Sequence, residues 1–367
     1  MRKFQKTRSA IVRSVSAVVA YLFVSLAAHA ATIAVSLPLS GDFAELGAEF
    51  RRGAELALAV SNTDHTLRFF DDGCDPDFGR MAADDLKNSQ PGFVTGYLCS
   101  DPAIAAADAL SGSGVPIVVA NARSVRLVKD RERGSWNLWR LAPGDNFPVV
   151  TAATAIADNW RSTPFAIVDD GTIYGRTFTD QLRLELEERG LKAQFSDNFR
   201  AAQSTQAGLL RRLQRAGVTA AFIAAASIED LFTIAKDAKA LDIEISLMTT
   251  EALASLPFLE SRGDATNDLA VIAAPKPFDN TFETLLRENQ IASTGLVYEG
   301  YAAIEIALQA LAGSAKEATN NLRMKTFETV LGPVEFKEDG TSNYNPYRLL
   351  LWDGKTLSAK IPGAESQ

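Results

Sequence analysis

Histidine is nearly absent from this chain: His29 and His65 are the only two in 367 residues. Cysteine is as scarce, with Cys74 and Cys99 alone. Ser–His and Cys–His catalysis and histidine metal sites therefore lack their usual parts. There is no Gly-x-Gly-x-x-Gly fingerprint, Walker P-loop or Gly-x-Ser-x-Gly elbow, and Ser111-Gly112-Ser113-Gly114 reads as a helix-ending turn. Positive charge is also in deficit. The chain has 37 Lys and Arg against 45 Asp and Glu, and five of the basic residues fall in the first 30 positions, which hold no acid. So acidic a body is a poor nucleic-acid binder, and it has no basic helix of the kind that lies on membranes. Beyond the N-terminus no segment is long and apolar enough to span a bilayer. Nothing calls for a cofactor or a metal, and the chain does not read as an enzyme.

The N-terminus is more definite. Arg2, Lys3, Lys6, Arg8 and Arg13 precede an apolar run from Ala17 to Ala28, and Ala28-His29-Ala30 is a small-x-small cleavage site. Residues 1–30 read as a secretory signal peptide. The alternative is an uncleaved anchor, but the run is shorter than the roughly 20 residues that span a bilayer. No lipidation cysteine follows it, so a soluble periplasmic protein is expected. Residues 31–367 are too many for one core, which suggests two domains. In an exported chain an even cysteine count points to one disulfide, Cys74–Cys99, with two free buried thiols as the alternative. His65, beside the polar Ser61-Asn62-Thr63-Asp64, is expected in an exposed turn.

Short apolar runs alternate with helical segments. Ile33, Val35 and Leu37 alternate as a strand, and Phe50, Ala54 and Leu58 recur every fourth residue on a helix. Further strands are expected at 67–72, 93–98 and 116–120, with helices at 80–87 and 102–111 between them. The alternation restarts with helix 147–160, strand 165–169, helix 176–189, helix 204–215, strand 220–225, helix 229–240, and strands 245–249 and 269–274. Tyr301, Ile304, Leu308 and Leu311 mark a long helix ended by Gly313, and the chain closes with strand-like runs at 332–336 and 348–352. Such alternation implies an α/β chain with parallel sheets and right-handed crossovers. Ligands of such sheets bind beyond the carboxyl ends of the strands.

The acidic cluster Asp71, Asp72, Asp75 and Asp77 lacks the glycine and terminal glutamate of a calcium loop. Asp169-Asp170 follows a strand, where it could meet a ligand or, as expected here, cap the next helix.

Several strings recur in a recognisable order: Leu39-Ser40-Gly41 with Gly47, Asp72-Gly73-Cys74-Asp75-Pro76, Leu98-Cys99-Ser100, and Tyr174-Gly175 after Asp169-Asp170. Thr250-Glu251 after a strand and Gly332-Pro333-Val334-Glu335-Phe336 complete the set. On these strings the chain resembles, over nearly all of residues 31–367, the periplasmic leucine/isoleucine/valine-type (branched-chain amino acid) binding proteins of ABC importers. The resemblance implies a type I periplasmic binding protein fold: two doubly wound parallel-sheet lobes joined by three crossovers, with a ligand cleft between them. It places lobe 1 at 31–143 plus 277–344 and lobe 2 at 144–276 plus 345–367. The crossovers fall near 141–146, 274–278 and 344–347, and a hinge closes on a small ligand.

The same resemblance suggests site residues. Ser100 matches a serine that holds an amino-acid carboxylate, Ala122 a residue whose backbone joins that subsite, Tyr174 a lobe-2 aromatic, and Glu251 the acid that meets the ligand ammonium. The residues agree in part. Ser100 lies between a strand and a helix, where a hydroxyl and free N–H groups suit an anion. Glu251 follows strand 245–249, and an acid there suits a cation. Helix cap, solvated loop acid and packing aromatic are the plain alternatives for Ser100, Glu251 and Tyr174. Three positions depart from the pattern: Arg123 replaces a small hydroxyl residue, and Leu46 and Ser227 each replace an aromatic. Arg123 suits a carboxylate, or else turns to solvent or pairs with Asp101. The expectation is a monomeric solute-binding protein that captures a small carboxylate-bearing ligand, foremost an amino acid, for a membrane ABC permease. A sensor or accessory subunit of the same fold, binding an amide, urea-like or organic-acid ligand, is the alternative.

Overall fold

The computed structural model describes residues 30–250, 269–275, 277, 279–313, 316–352 and 357–359. Residues 1–29 of the expected signal peptide, Glu251 and Phe278 lie outside them. By its contacts the chain separates into two units. The first runs to Leu141 and resumes at Ile291–Gly340; the second comprises Ala142–Gln290 and Thr341 onward. Residues 277–290, expected with the first lobe, group with the second unit. Helix Asn280–Glu288 follows a strand of the second unit's sheet after a short connection.

In the first unit five parallel strands lie in the order β2-β1-β3-β4-β5: β1 Thr32–Leu37, β2 Thr66–Asp71, β3 Phe93–Gly96, β4 Ile117–Val119 and β5 Leu138–Arg140. Between them run α1 Ala44–Val60, α2 Pro76–Asn88, α3 Ser100–Ala109 and α4 Arg126–Lys129, and α10 Val297–Ala310 and α11 Ala318–Met324 complete the unit. The expected strand at 332–336 is reduced to isolated bridge residues, Val334, which pairs with Phe327, and Phe336. Val334 and Phe336 are buried around an exposed Glu335, which reads as a strand. Gly332 at φ 93° and Pro333 limit the pairing.

The second unit holds β6 Phe165–Asp169, β7 Phe195–Asn198, β8 Ala220–Ala224, β9 Ser246–Thr249, β10 Leu269–Ala273, β11 Arg348–Trp352 and β12 Leu357–Ala359, in the order β12-β11-β10-β9-β8-β6-β7. β6 to β10 are parallel, and β11 and β12 are antiparallel additions at one edge. Its helices are α5 Phe147–Trp160, α6 Ile173–Glu188, α7 Ala207–Arg215, α8 Ile228–Ala240 and α9 Asn280–Glu288. β6 shows why the strands are apolar throughout. Ala166 and Val168 enter one core with Ile223 and Trp352, while Phe165 and Ile167 enter another with Trp160 and Phe178. A sheet buried on both faces needs both sets. Among the described residues no helix is long and apolar enough to cross a membrane.

His65 is not the exposed turn residue expected. It is half-buried, and its Nδ1 accepts the Ala31 N–H at 3.0 Å.

Candidate functional site

The carboxyl edge of the first sheet is stapled. Cys74, after β2, and Cys99, after β3, form a disulfide with Cα atoms 5.3 Å apart. Since β1 lies between those strands, the bridge reaches across its end. Glycine makes this turn possible. A Cβ on Gly96 would sit 2.2 Å from the Ser36 carbonyl oxygen, and Gly96 has φ 103°. Tyr97 follows at φ 60° with its ring buried.

The aspartates of the acidic cluster after β2, which lacks the pattern of a calcium loop, are structural. Asp71 accepts the N–H groups of Leu39, Ser40 and Gly73 at 2.8, 3.3 and 3.0 Å. Burial alone would raise its carboxyl, but hydrogen bonds from the Ser40 side chain and these amides bring it below the ordinary value. Asp72, fully buried, accepts Ser36 Oγ at 2.8 Å and Cys74 N–H at 3.0 Å. Burial holds its carboxyl above the ordinary value despite these bonds, and Asp71 adds repulsion. Asp75 caps α2 by accepting from Asp77 and Phe78, and Asp77 pairs with Arg80.

The second unit repeats the device with the same tripeptide. In Asp169-Asp170-Gly171, Asp169 accepts Gly171 N–H at 2.8 Å, as Asp71 accepts Gly73. Asp170 accepts Thr172 N–H at 3.0 Å and Ala226 N–H at 2.7 Å, tying the loop after β6 to the one after β8. The helix-capping role expected for this pair belongs instead to Thr172, whose side chain accepts Gly175 N–H at 3.0 Å. The doubled Asp-Asp-Gly was the signal available in the sequence.

Beside the staple stand the site residues of the first unit. Ser100 opens α3 as its first helical residue, not its cap. Its hydroxyl has no hydrogen-bond partner among the described residues, in keeping with a role other than capping. Ala122 is buried, and its N–H donates to the Tyr97 carbonyl at 3.1 Å. Its backbone therefore offers an acceptor rather than a donor. Arg123 is exposed, and its carbonyl accepts Arg140 Nη1 at 2.9 Å, so the backbone beneath the guanidinium is held. Leu46, in the first turn of α1, is 40% exposed beside an exposed Phe43.

In the second unit Tyr174 lies in the first turn of α6, 42% exposed. Its ring is 6.1 Å from Phe178, which stacks on the core ring of Phe222 at 5.5 Å. Ser227 caps α8 by accepting Glu229 N–H at 3.2 Å. Glu251 lies outside the described residues. Thr250, just before it, is fully buried, and its Oγ1 has no partner among them. Sequence reasoning did not assign Thr250 a role of its own. Ser100 with Arg123, and Tyr174 with Ser227, thus stand on the carboxyl edges of their respective sheets.

The sequence profile of the periplasmic binding protein family matches residues 30–356. The Leu/Ile/Val-binding protein homolog 2 of Brucella abortus is 26% identical over 354 residues, covering 88% of this chain and 91% of that one. Two solved structures share the fold. An ABC transporter substrate-binding protein from Sphaerobacter thermophilus superposes with a TM-score of 0.62 at 19% identity, covering 90% of this chain and 96% of the other. A solute-binding protein of an ABC transporter from Rhodopseudomonas palustris, in complex with p-hydroxybenzoic acid, gives 0.58 at 18% identity, with coverages of 90% and 96%.

Proposed function

The chain belongs to the periplasmic binding protein family, and we propose that it is exported to the periplasm to capture a small carboxylate-bearing ligand for an ABC permease. The observation that carries this reading is the exposed Arg123, with its backbone clamped by Arg140, at the same sheet edge as the uncommitted hydroxyl of Ser100. A guanidinium and a hydroxyl at a helix start suit a carboxylate through charge-assisted bonds. The carbonyl of Ala122 then receives a donor on the ligand, since its N–H is spent on Tyr97. Tyr174, Glu251 and Ser227 act from the second unit, and Leu46 contributes an aliphatic wall. A ligand touching residues of both units favours the closed arrangement, and hinge closure follows by population shift.

An amino acid is the leading ligand, because Glu251 supplies an acid for an ammonium and the Brucella relative is named for leucine, isoleucine and valine. The second reading is an organic acid without that ammonium, bound for transport or by a sensor or accessory subunit. It is favoured by Arg123 and by the missing aromatics at positions 46 and 227, and it is in keeping with the p-hydroxybenzoic acid in the Rhodopseudomonas structure.

The test is a thermal-shift screen of residues 31–367 against amino acids, amides, ureas and aromatic and aliphatic acids. A ligand at 100 times its Kd adds about 2.7 kcal/mol of stability. Arg123→Ala is expected to weaken carboxylate binding by about 2 kcal/mol or more. An unchanged affinity would remove Arg123 from the site. A panel without any acid among its hits would overturn the carboxylate reading.

A further inference from the structure

Two residues other than glycine hold left-handed backbone beside the carboxylate subsite: Cys74 at φ 53° and Tyr97 at φ 60°. That conformation costs an L-residue free energy and persists only where the surroundings over-determine it. Cys74 is tied down by its disulfide to Cys99. Tyr97 has no such tether. Its neighbour Gly96, also left-handed, has no room for a side chain, since a Cβ would meet the Ser36 carbonyl oxygen at 2.2 Å. The backbone alone would favour glycine at position 97 as well, yet the residue there carries a large ring, only 1% exposed.

The ring shares one apolar cluster with Ala103 and Ala106 of α3, with Ala122 and with Leu127 of α4. It is thus anchored in the core beneath both the helix that Ser100 opens and the turn that carries Arg123. Backbone bonds fix the same residue from the other side. Tyr97 N–H donates to the Ser36 carbonyl at 2.8 Å, and the Tyr97 carbonyl accepts the Ala122 N–H at 3.1 Å and the Asn121 N–H at 3.4 Å. Rotation of Tyr97 to an ordinary φ would redirect that carbonyl and leave the amide of the buried Ala122 without its acceptor, which is costly. Arg140 closes the turn from its far end, with Nη1 2.9 Å from the Arg123 carbonyl oxygen. Ser100 follows Tyr97 by three residues, through a cysteine that the bridge holds. Both halves of the subsite therefore depend on one residue.

We propose that Tyr97 is a positioning residue of the carboxylate subsite: its buried ring locks a left-handed turn whose carbonyl registers the Ala122–Arg123 turn against Ser100. The lock raises affinity by pre-organisation, because the two segments need not be ordered when the ligand arrives. Tyr97 itself is buried and acts through Ser100 and Arg123. The inference rests on those two residues being the carboxylate anchors.

The experiment is calorimetric titration of purified residues 31–367 with L-leucine and 4-hydroxybenzoate. Tyr97→Gly suits the backbone but removes the ring. It should weaken acid binding by about tenfold or more, while Tyr97→Phe, which keeps the ring, should stay within about threefold of the wild type. In the Arg123→Ala background Tyr97→Gly should cost less than about threefold, since residues that act as one unit are not additive. A residue with a merely structural role would cost the same in both backgrounds. Equal losses, or a Tyr97→Phe as weak as Tyr97→Gly, overturn the positioning role and leave the binding reading intact. Binding of neither acid by the wild type, or full affinity in Arg123→Ala, overturns both. The lock is also read without any variant. In the ligand-free wild type the Ala122 amide should exchange with deuterium, followed by NMR, as slowly as the amides of β3. Fast exchange there overturns the proposal even if Tyr97→Gly does not fold.

Discussion

The Cys74–Cys99 bridge offers a prediction whose size follows from where it sits. The two cysteines are 25 residues apart in sequence. In the chain-entropy relation, closing that loop removes about 12 cal/mol/K from the unfolded ensemble, or about 3.5 kcal/mol at 25 °C. The Cys74→Ala, Cys99→Ala double variant should lose about that much. For a unit of this size the loss corresponds to a fall in Tm of about 7–14 °C. The loss should be local, because the bridge joins two loops of the first unit and none of the second. Urea unfolding gives the total, and hydrogen exchange read by mass spectrometry separates the units. Peptides of β1, β3 and α3 should lose protection, while those of β6 and β8 keep theirs. Wild type treated with dithiothreitol should behave as the double variant does. Ser100 directly follows Cys99, so ligand affinity should fall even where the unit remains folded. A loss below about 1 kcal/mol, or one shared equally by both units, would refute the view that the bridge clamps this sheet edge.

Two further perturbations test the packing and the charges. Gly300→Ala should cost about 1–3 kcal/mol, because the added methyl meets the Phe50 carbonyl at 2.1 Å and backbone cannot yield as a side-chain tip does; an unchanged urea midpoint would mean that α1 and α10 separate without cost. The native state holds the carboxyls of Asp72, Glu299 and Asp230 above their ordinary values, in each case first through burial. Across the window between the ordinary and the raised values it binds more protons than the unfolded chain. These groups therefore add stability as pH falls from neutral through that window and lose it as pH rises. Asp71, lowered by its hydrogen bonds, works the other way and gives up its contribution only at stronger acid. Urea midpoints followed from neutral to mildly acid pH in the wild type and in Asp72→Asn should show a wild-type gain that the variant reduces; a steady wild-type loss over that interval would contradict the assignment.

Much of the architecture is legible in the residues. Apolar runs such as Phe165 to Asp169 are buried on both faces, and that requirement writes a strand without alternation. The cysteine pair was readable from count and context, and Arg123 stood out as a departure at a position that the structure leaves exposed. Less legible were elements whose pattern is short or polar. β5 has three residues, β7 reads Phe-Ser-Asp-Asn, and nothing local in the helix 280–288 marks it as belonging to the second unit. The run 332–336 alternates as a strand does but forms only isolated bridges, at Val334 and Phe336.

Composition and spacing determined that this is an α/β chain with scant histidine and one cysteine pair. They could not assign the aspartates. Asp71, Asp72, Asp169 and Asp170 look alike in sequence, and only the folded chain shows Asp71 and Asp170 reaching backbone N–H groups of neighbouring loops while Asp72 and Asp169 accept them within their own turns. Nor could they single out Glu299, which in sequence is one helix glutamate among several. Only the fold shows its Oε2 buried without a hydrogen-bond partner among the described residues, on a helix pressed backbone to backbone against α1. Burial and the direction of a side chain are properties of packing between distant segments, and local sequence carries them only where a repeat or a glycine marks the contact.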